Sequence, residues 1–172
     1  MRDRELWKEI YQKYARRMLT VCMRYAPGRE QAEDMMHDGF MQVFRSLDKF
    51  TDRGEGSLRA WMERVMINTC LQHLRKKDLL KNSSLVEEEK EPAVDGSLEA
   101  AAERVPGTVL RSFIQQLPPG YRAVFSLYVF EGMNHKEIAR ELNIKEKTSS
   151  SQLYRAKCLL ASQIKEYERK QQ

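Results

Sequence analysis

Thr148, Ser151, Gln152 and Arg155 recur at helical spacing near the C-terminus, with Lys147 at the start of the run and Lys157 on its flank. Opposite them fall the apolar residues Leu153, Ala156, Leu160 and Ile164, so the pattern predicts a helix with a buried side and a polar, basic side. Short hydroxyls, an amide and cations on one face offer donors and acceptors for base edges and phosphates, the chemistry of a helix laid into a DNA major groove. Bond-breaking chemistry has no comparable set. Cys22, Cys70 and Cys158 are widely separated, fall in apolar helical patterns and read as buried free thiols. His37, His73 and His135 are isolated from one another, and neither an HExxH pair nor a phosphate-cradling glycine loop occurs. The sequence therefore predicts no enzyme, no metal centre and no cofactor.

A polar helix face also fits ordinary solvation, so the elements that position it matter. Asn134 stands three residues before Glu137, the capping-box signature of a helix starting near His135. Ile138, Ala139 and Leu142 share one face of that helix, and Asn143 follows where left-handed backbone geometry ends it. Ile144 plugs the turn, and the second helix starts near Glu146 or Lys147. The result is a helix-turn-helix.

With 8 Gly and 5 Pro in 172 residues, and abundant Leu, Met, Arg, Lys, Glu and Gln, the chain favours helix almost throughout. The predicted fold is all-α: two small helical domains joined by a flexible acidic linker. The net charge of +5 is unevenly distributed. Residues 1–77 carry +5, residues 78–103 carry −6 and residues 104–172 carry +6. The middle stretch is rich in Ser and Glu and poor in large apolar residues, which leaves little to offset the entropy of ordering it. Two basic modules on a tether fit a long anionic ligand contacted at two points. No apolar run reaches membrane-spanning length and no signal-peptide pattern opens the chain, so the protein is expected to be cytoplasmic, without membrane insertion.

In the first module, Leu6, Trp7, Ile10, Tyr14, Met18, Val21, Cys22 and Tyr25 mark the buried side of one helix. Ala32, Met36, Phe40, Val43 and Leu47 mark that of a second. Opposite that second set, Asp34, His37, Asp38, Met41 and Arg45 form a stripe in which carboxylates surround an exposed apolar residue, a surface suited to docking on a basic partner. The loop 51–57, containing Asp52, Arg53 and Gly54, leads to a third helix with Ser57 as its expected N-cap. On that helix Trp61, Arg64, Asn68, Gln72 and Arg75 share a narrow stripe able to stack on bases and contact phosphates.

In their order these segments resemble a bacterial sigma factor of the extracytoplasmic-function (ECF) group, reduced to regions 2 and 4. AEDMMHDGFMQVFRSLDKF is similar to region 2.2, RAWMERVMINTCLQHLRKK to regions 2.3 and 2.4, and the stretch from LPPGYRAVF to TSSSQLYRAKCLL to region 4. The resemblance implies that residues 1–77 bind the β′ clamp helices of core RNA polymerase and melt and read the −10 promoter element. It implies that residues 104–172 read the −35 element beside the β flap, and that an anti-sigma factor restrains the protein. Carried onto matching positions, Asp34, Asp38 and Phe40 belong to the polymerase-binding motif, Trp61, Asn68 and Arg75 to the third-helix motif, and Thr148 and Arg155 to the recognition helix. The loop from Asp52 to Ser57 lies where the group captures a flipped nontemplate base.

The chain departs from the group's usual pattern at several positions: His37 for Gln, Gln72 for Asp, Lys145 for Ser, Ser149 for Val and Gln152 for Arg. Ser149 is expected to loosen its helix, and Gln152 to favour adenine where Arg favours guanine. Two further functions stay open on sequence: a polymerase-independent helix-turn-helix repressor or activator, and an interaction protein that sequesters a partner.

Overall fold

The structure is a computed structural model that describes residues 2–76 and 98–172. The described residues contain eight α-helices and no strand. The chain divides into two compact units at residues 77 and 78, where the charge changes sign.

The first unit holds α1 (Arg2–Met23), α2 (Arg29–Ser46) and α3 (Ser57–Lys76), with a single 3-10 turn at Leu47–Lys49. Met18, Val21 and Cys22 of α1, Met36, Phe40 and Val43 of α2, and Met62, Met66 and Cys70 of α3 meet in its core. Contacts between α1 and α3 recur in the same direction along both helices: Arg17 pairs with Glu63, and the Cys22 thiol lies against Cys70. The two helices therefore run parallel. The hydrogen bond that the Cys70 thiol donates to Cys22, reinforced by burial, holds Cys70 well above its ordinary pKa. Both thiols are free and buried as predicted, whereas Cys158 is only half-buried. Gly39, in the interior of α2, admits α3: a Cβ there would stand 2.2 Å from the Met66 sulfur. Close approach outweighs the helix propensity that glycine gives up.

The second unit holds α4 (Leu98–Glu103), α5 (Gly107–Gln116), α6 (Pro119–Val129), α7 (His135–Leu142) and α8 (Glu146–Lys170). Residues 98–103, assigned from sequence to the acidic linker, are helix and pack on α8, with Leu98 buried and Arg104 bonded to Glu168 at 2.8 Å. The rest of that linker, 78–97, lies outside the described residues. The central helix is α6, buried from Gly120 through Leu127 and packed on α7 and α8. Arg122 is among its buried residues and donates through Nη2 to the carbonyls of Gln115 (3.0 Å) and Leu117 (2.8 Å) at the end of α5. Desolvation pulls its guanidinium pKa down to about 10.

The helix-turn-helix forms as its punctuation predicts. The Glu137 amide donates to Asn134 Oδ1 and the Asn134 amide to Glu137 Oε2, each at 2.9 Å, which closes the capping box. Asn143 takes φ 53°, the left-handed stop, and Ile144 N–H returns to Ala139 O at 3.0 Å. Leu153, Ala156, Leu160 and Ile164 are buried.

Candidate partner and nucleic-acid interfaces

On α2, Asp34, His37, Asp38, Met41 and Arg45 are all exposed, Met41 by 51%. The stripe thus stands free on the outside of the first unit. Asp38 has a second role, because its Oδ2 lies 2.6 Å from His73 Nε2 and ties α2 to α3. Phe40 is corrected: it is 3% exposed and packs against Tyr11 and Phe44, so it supports the stripe from below and offers no ring to a partner. The sequence reading missed a neighbouring feature. Leu6 and Trp7, assigned to the buried side of α1, are exposed, as is the neighbouring Tyr11, and Trp7 lies flat on Phe44 with centroids 4.9 Å apart. Periodicity identified the face but not where its cover stops.

The loop before α3 is organised by Asp52. Its Oδ1 accepts from Gly54 N–H at 2.9 Å and from the Ser57 hydroxyl at 3.0 Å, while Ser57 Oγ accepts from Arg53 N–H at 3.1 Å. Ser57 is therefore a loop tie within the first turn of α3 and not its N-cap. Gly54 and Gly56 take φ of 112° and 81°, conformations that L side chains rarely adopt. The Gly54 amide, followed by the Ser57 hydroxyl, holds the Asp52 carboxyl below its ordinary pKa of 3.8. A depressed carboxylate secures the loop at pH above its unfolded value and releases it as pH falls through its folded one. Carboxyl NMR should accordingly find Asp52 titrating below 3.8, and Asp52→Ala should remove the protection of the Gly54 amide; titration at or above 3.8 would contradict these bonds.

Along α3, Arg64, Asn68, Gln72 and Arg75 are exposed in one stripe. Trp61 is half-buried, its ring 5.3 Å from Phe50, so one part packs and the rest adjoins the stripe.

On α8, Lys147 is exposed, and Thr148, Ser151, Arg155 and Lys157 are partly so. Ser151 Oγ donates to Lys147 O at 2.9 Å, and Lys157 Nζ lies 5.8 Å from the Tyr128 ring centroid. Gln152 is corrected. It is 5% exposed, on the side of α8 that also buries Leu153 and Ala156, so its amide does not stand with Ser151 and Arg155 and the expected adenine contact has no exposed donor there. Ser149, expected to loosen the helix, is fully buried and lies 2.9 Å from His135 Nδ1; the His135 ring stacks on Tyr128. A polar residue in that position is satisfied by the first helix of the motif.

Residues 10–79 match the family described as Sigma-70 region 2, and residues 108–160 match Sigma-70, region 4. Among similar curated proteins, the ECF RNA polymerase sigma factor SigE of Mycolicibacterium smegmatis is 27% identical over 94% of this chain, which spans 61% of that protein's length. The RNA polymerase sigma-H factor of Pseudomonas aeruginosa is 28% identical over 90% of this chain and 84% of its own. The ECF RNA polymerase sigma factor SigM of Bacillus subtilis is 26% identical over 87% and 89%. A similar fold occurs in the sigma factor RpoE of Bartonella quintana, solved in complex with the anti-sigma factor NepR. Its TM-score is 0.54 at 18% identity, over 92% of this chain and 96% of that one.

Proposed function

The chain belongs to the sigma-70 family, in its extracytoplasmic-function group, and from that membership we propose that it directs core RNA polymerase to specific promoters and initiates transcription there. The observation that carries this reading is the pairing, within the first unit, of an exposed acidic stripe on α2 with an exposed amide and arginine stripe on α3. A repressor needs only the helix-turn-helix; a polymerase-dependent factor needs a docking face and a strand-reading face side by side.

In this reading Asp34, His37, Asp38, Met41 and Arg45 dock on the β′ clamp helices. Asp52, Arg53 and Gly54 of the loop, with Trp61, Arg64, Asn68, Gln72 and Arg75, open and read the −10 element. The loop's fixed amides frame a place for an unstacked base, which must leave its duplex before a pocket can read it. Lys147, Thr148, Ser151, Arg155 and Lys157 contact the −35 element, beside the β flap. An anti-sigma factor is the proposed restraint, since the similar Bartonella quintana sigma factor is bound by one. The protein then works in the cytoplasm, and no described helix is long and apolar enough to cross a membrane.

Run-off transcription tests the proposal. Core polymerase with this protein should initiate at a defined start on a promoter selected from a randomised library, and core alone should not. DNA binding independent of core, with no transcript, would favour a repressor.

A further inference from the structure

Residues 10–29 contain no Asp or Glu but five cations, Lys13, Arg16, Arg17, Arg24 and Arg29. Lys13, Arg16 and Arg17 fall three and four residues apart and with Thr20 form one stripe along α1, and Arg24, seven residues beyond Arg17, follows in the turn just past the helix end. Lys13, Arg16 and Arg17 are exposed, and Arg24 is partly so. Among the described residues no carboxylate pairs with Lys13 or Arg16; Arg17 pairs with Glu63.

The position of this stripe gives it a partner. The Arg17–Glu63 pair sits on the seam between α1 and α3, and the two helices run parallel, so the stripe to which Arg17 belongs runs in the same direction as α3. On the α3 wheel, Glu63 at the seam is followed by Arg64 and then by Asn68, Gln72 and Arg75, all turned to solvent. The other flank of α3 faces α2 through His73 and Asp38. One flank of α3 is therefore joined to the cation-bearing helix α1 through Arg17 and the other to the acid-bearing helix α2 through Asp38. A strand drawn onto α3 meets attraction on one side and repulsion on the other.

Resting on the reading of α3 as a DNA-contacting face, we infer that Lys13 and Arg16 of α1 bind the sugar–phosphate backbone of promoter DNA, as a rail beside the bases that α3 contacts. Phosphate contacts fix register and carry no sequence information, and each adds about one unit to the salt dependence of binding. The long stems of Lys13 and Arg16 suit this work, since the charged heads reach outward while the helix stays packed.

The test uses the full chain bound to core polymerase, with the Lys13→Gln/Arg16→Gln double variant and a promoter fragment on which wild-type holoenzyme makes run-off transcripts. Affinity for that fragment is measured against salt, alongside affinity for core. The inference expects unchanged helix content and core affinity, and a salt slope shallower by about two. Binding should weaken about tenfold at moderate salt, equally for promoter variants with altered −10 bases. An unchanged slope overturns the rail while leaving the sigma reading intact, because wild-type holoenzyme still transcribes. Weaker core binding would assign the stripe to polymerase, and tighter promoter binding by the variant would assign it to an acidic segment of the chain itself; either result overturns the inference.

Discussion

Asp34→Lys lowers affinity for core RNA polymerase by about 30-fold or more, the loss expected when a central charged contact of an interface is reversed. Asp34 is the cleaner of the two stripe carboxylates to change. It is exposed, and no described residue pairs with it, so reversal leaves the first unit's packing alone. Asp38 is coupled to His73 at 2.6 Å, and removing it disturbs the α2–α3 contact as well as any partner. Competition of labelled wild-type protein for core, with circular dichroism as a check on folding, reads the effect. An affinity within threefold of wild type would remove the α2 stripe from the docking surface, and with it the main physical reason to prefer a polymerase-dependent factor over a free-standing repressor.

Arg122→Ala destabilises the second unit by about 3–5 kcal/mol, because it empties a buried site and leaves carbonyls at the end of α5 without their donor. Helix C-termini carry unpaired carbonyls and a partial negative charge, so a buried guanidinium there replaces both water and a cap. The two tryptophans give an internal control: Trp7 and Trp61 both lie in the first unit. Urea unfolding followed by tryptophan fluorescence should be nearly unchanged in the variant, while circular dichroism loses the second unit's helix at much lower urea. Coincident shifts in both signals would mean that the two units unfold together.

These two sites differ in how readily sequence gave them away. The Asp34 stripe and the capping box at Asn134 were legible because each depends on spacing within one helix. Arg122 was not, because α6 is buried almost all round and shows no amphipathic period, and its hydrogen bonds run to a neighbouring helix. Gln152 and Ser149 were misplaced for a related reason. A wheel drawn on α8 shows which residues share a side but not how far α6 and α7 wrap around it. Phe40 is the reverse case: its apolar spacing assigned it to the core, and only its resemblance to a binding motif drew it to the surface. Trp7 shows the limit of periodicity, since an apolar stripe does not reveal where the covering helix ends.

One consequence belongs to the length of α8. Thr148 lies near its start, and Glu168, near its end, is bonded to Arg104 just after α4. The span between them is about 30 Å of continuous helix. The chain arriving from residue 98 is thus fastened to the handle of a rod whose tip carries the side chains proposed to contact DNA. Whatever path the tether takes, its anchorage does not crowd the tip. In the proposed role, the contact with the −35 element is thereby held about 30 Å along the helix from the place where α4 is fastened to it.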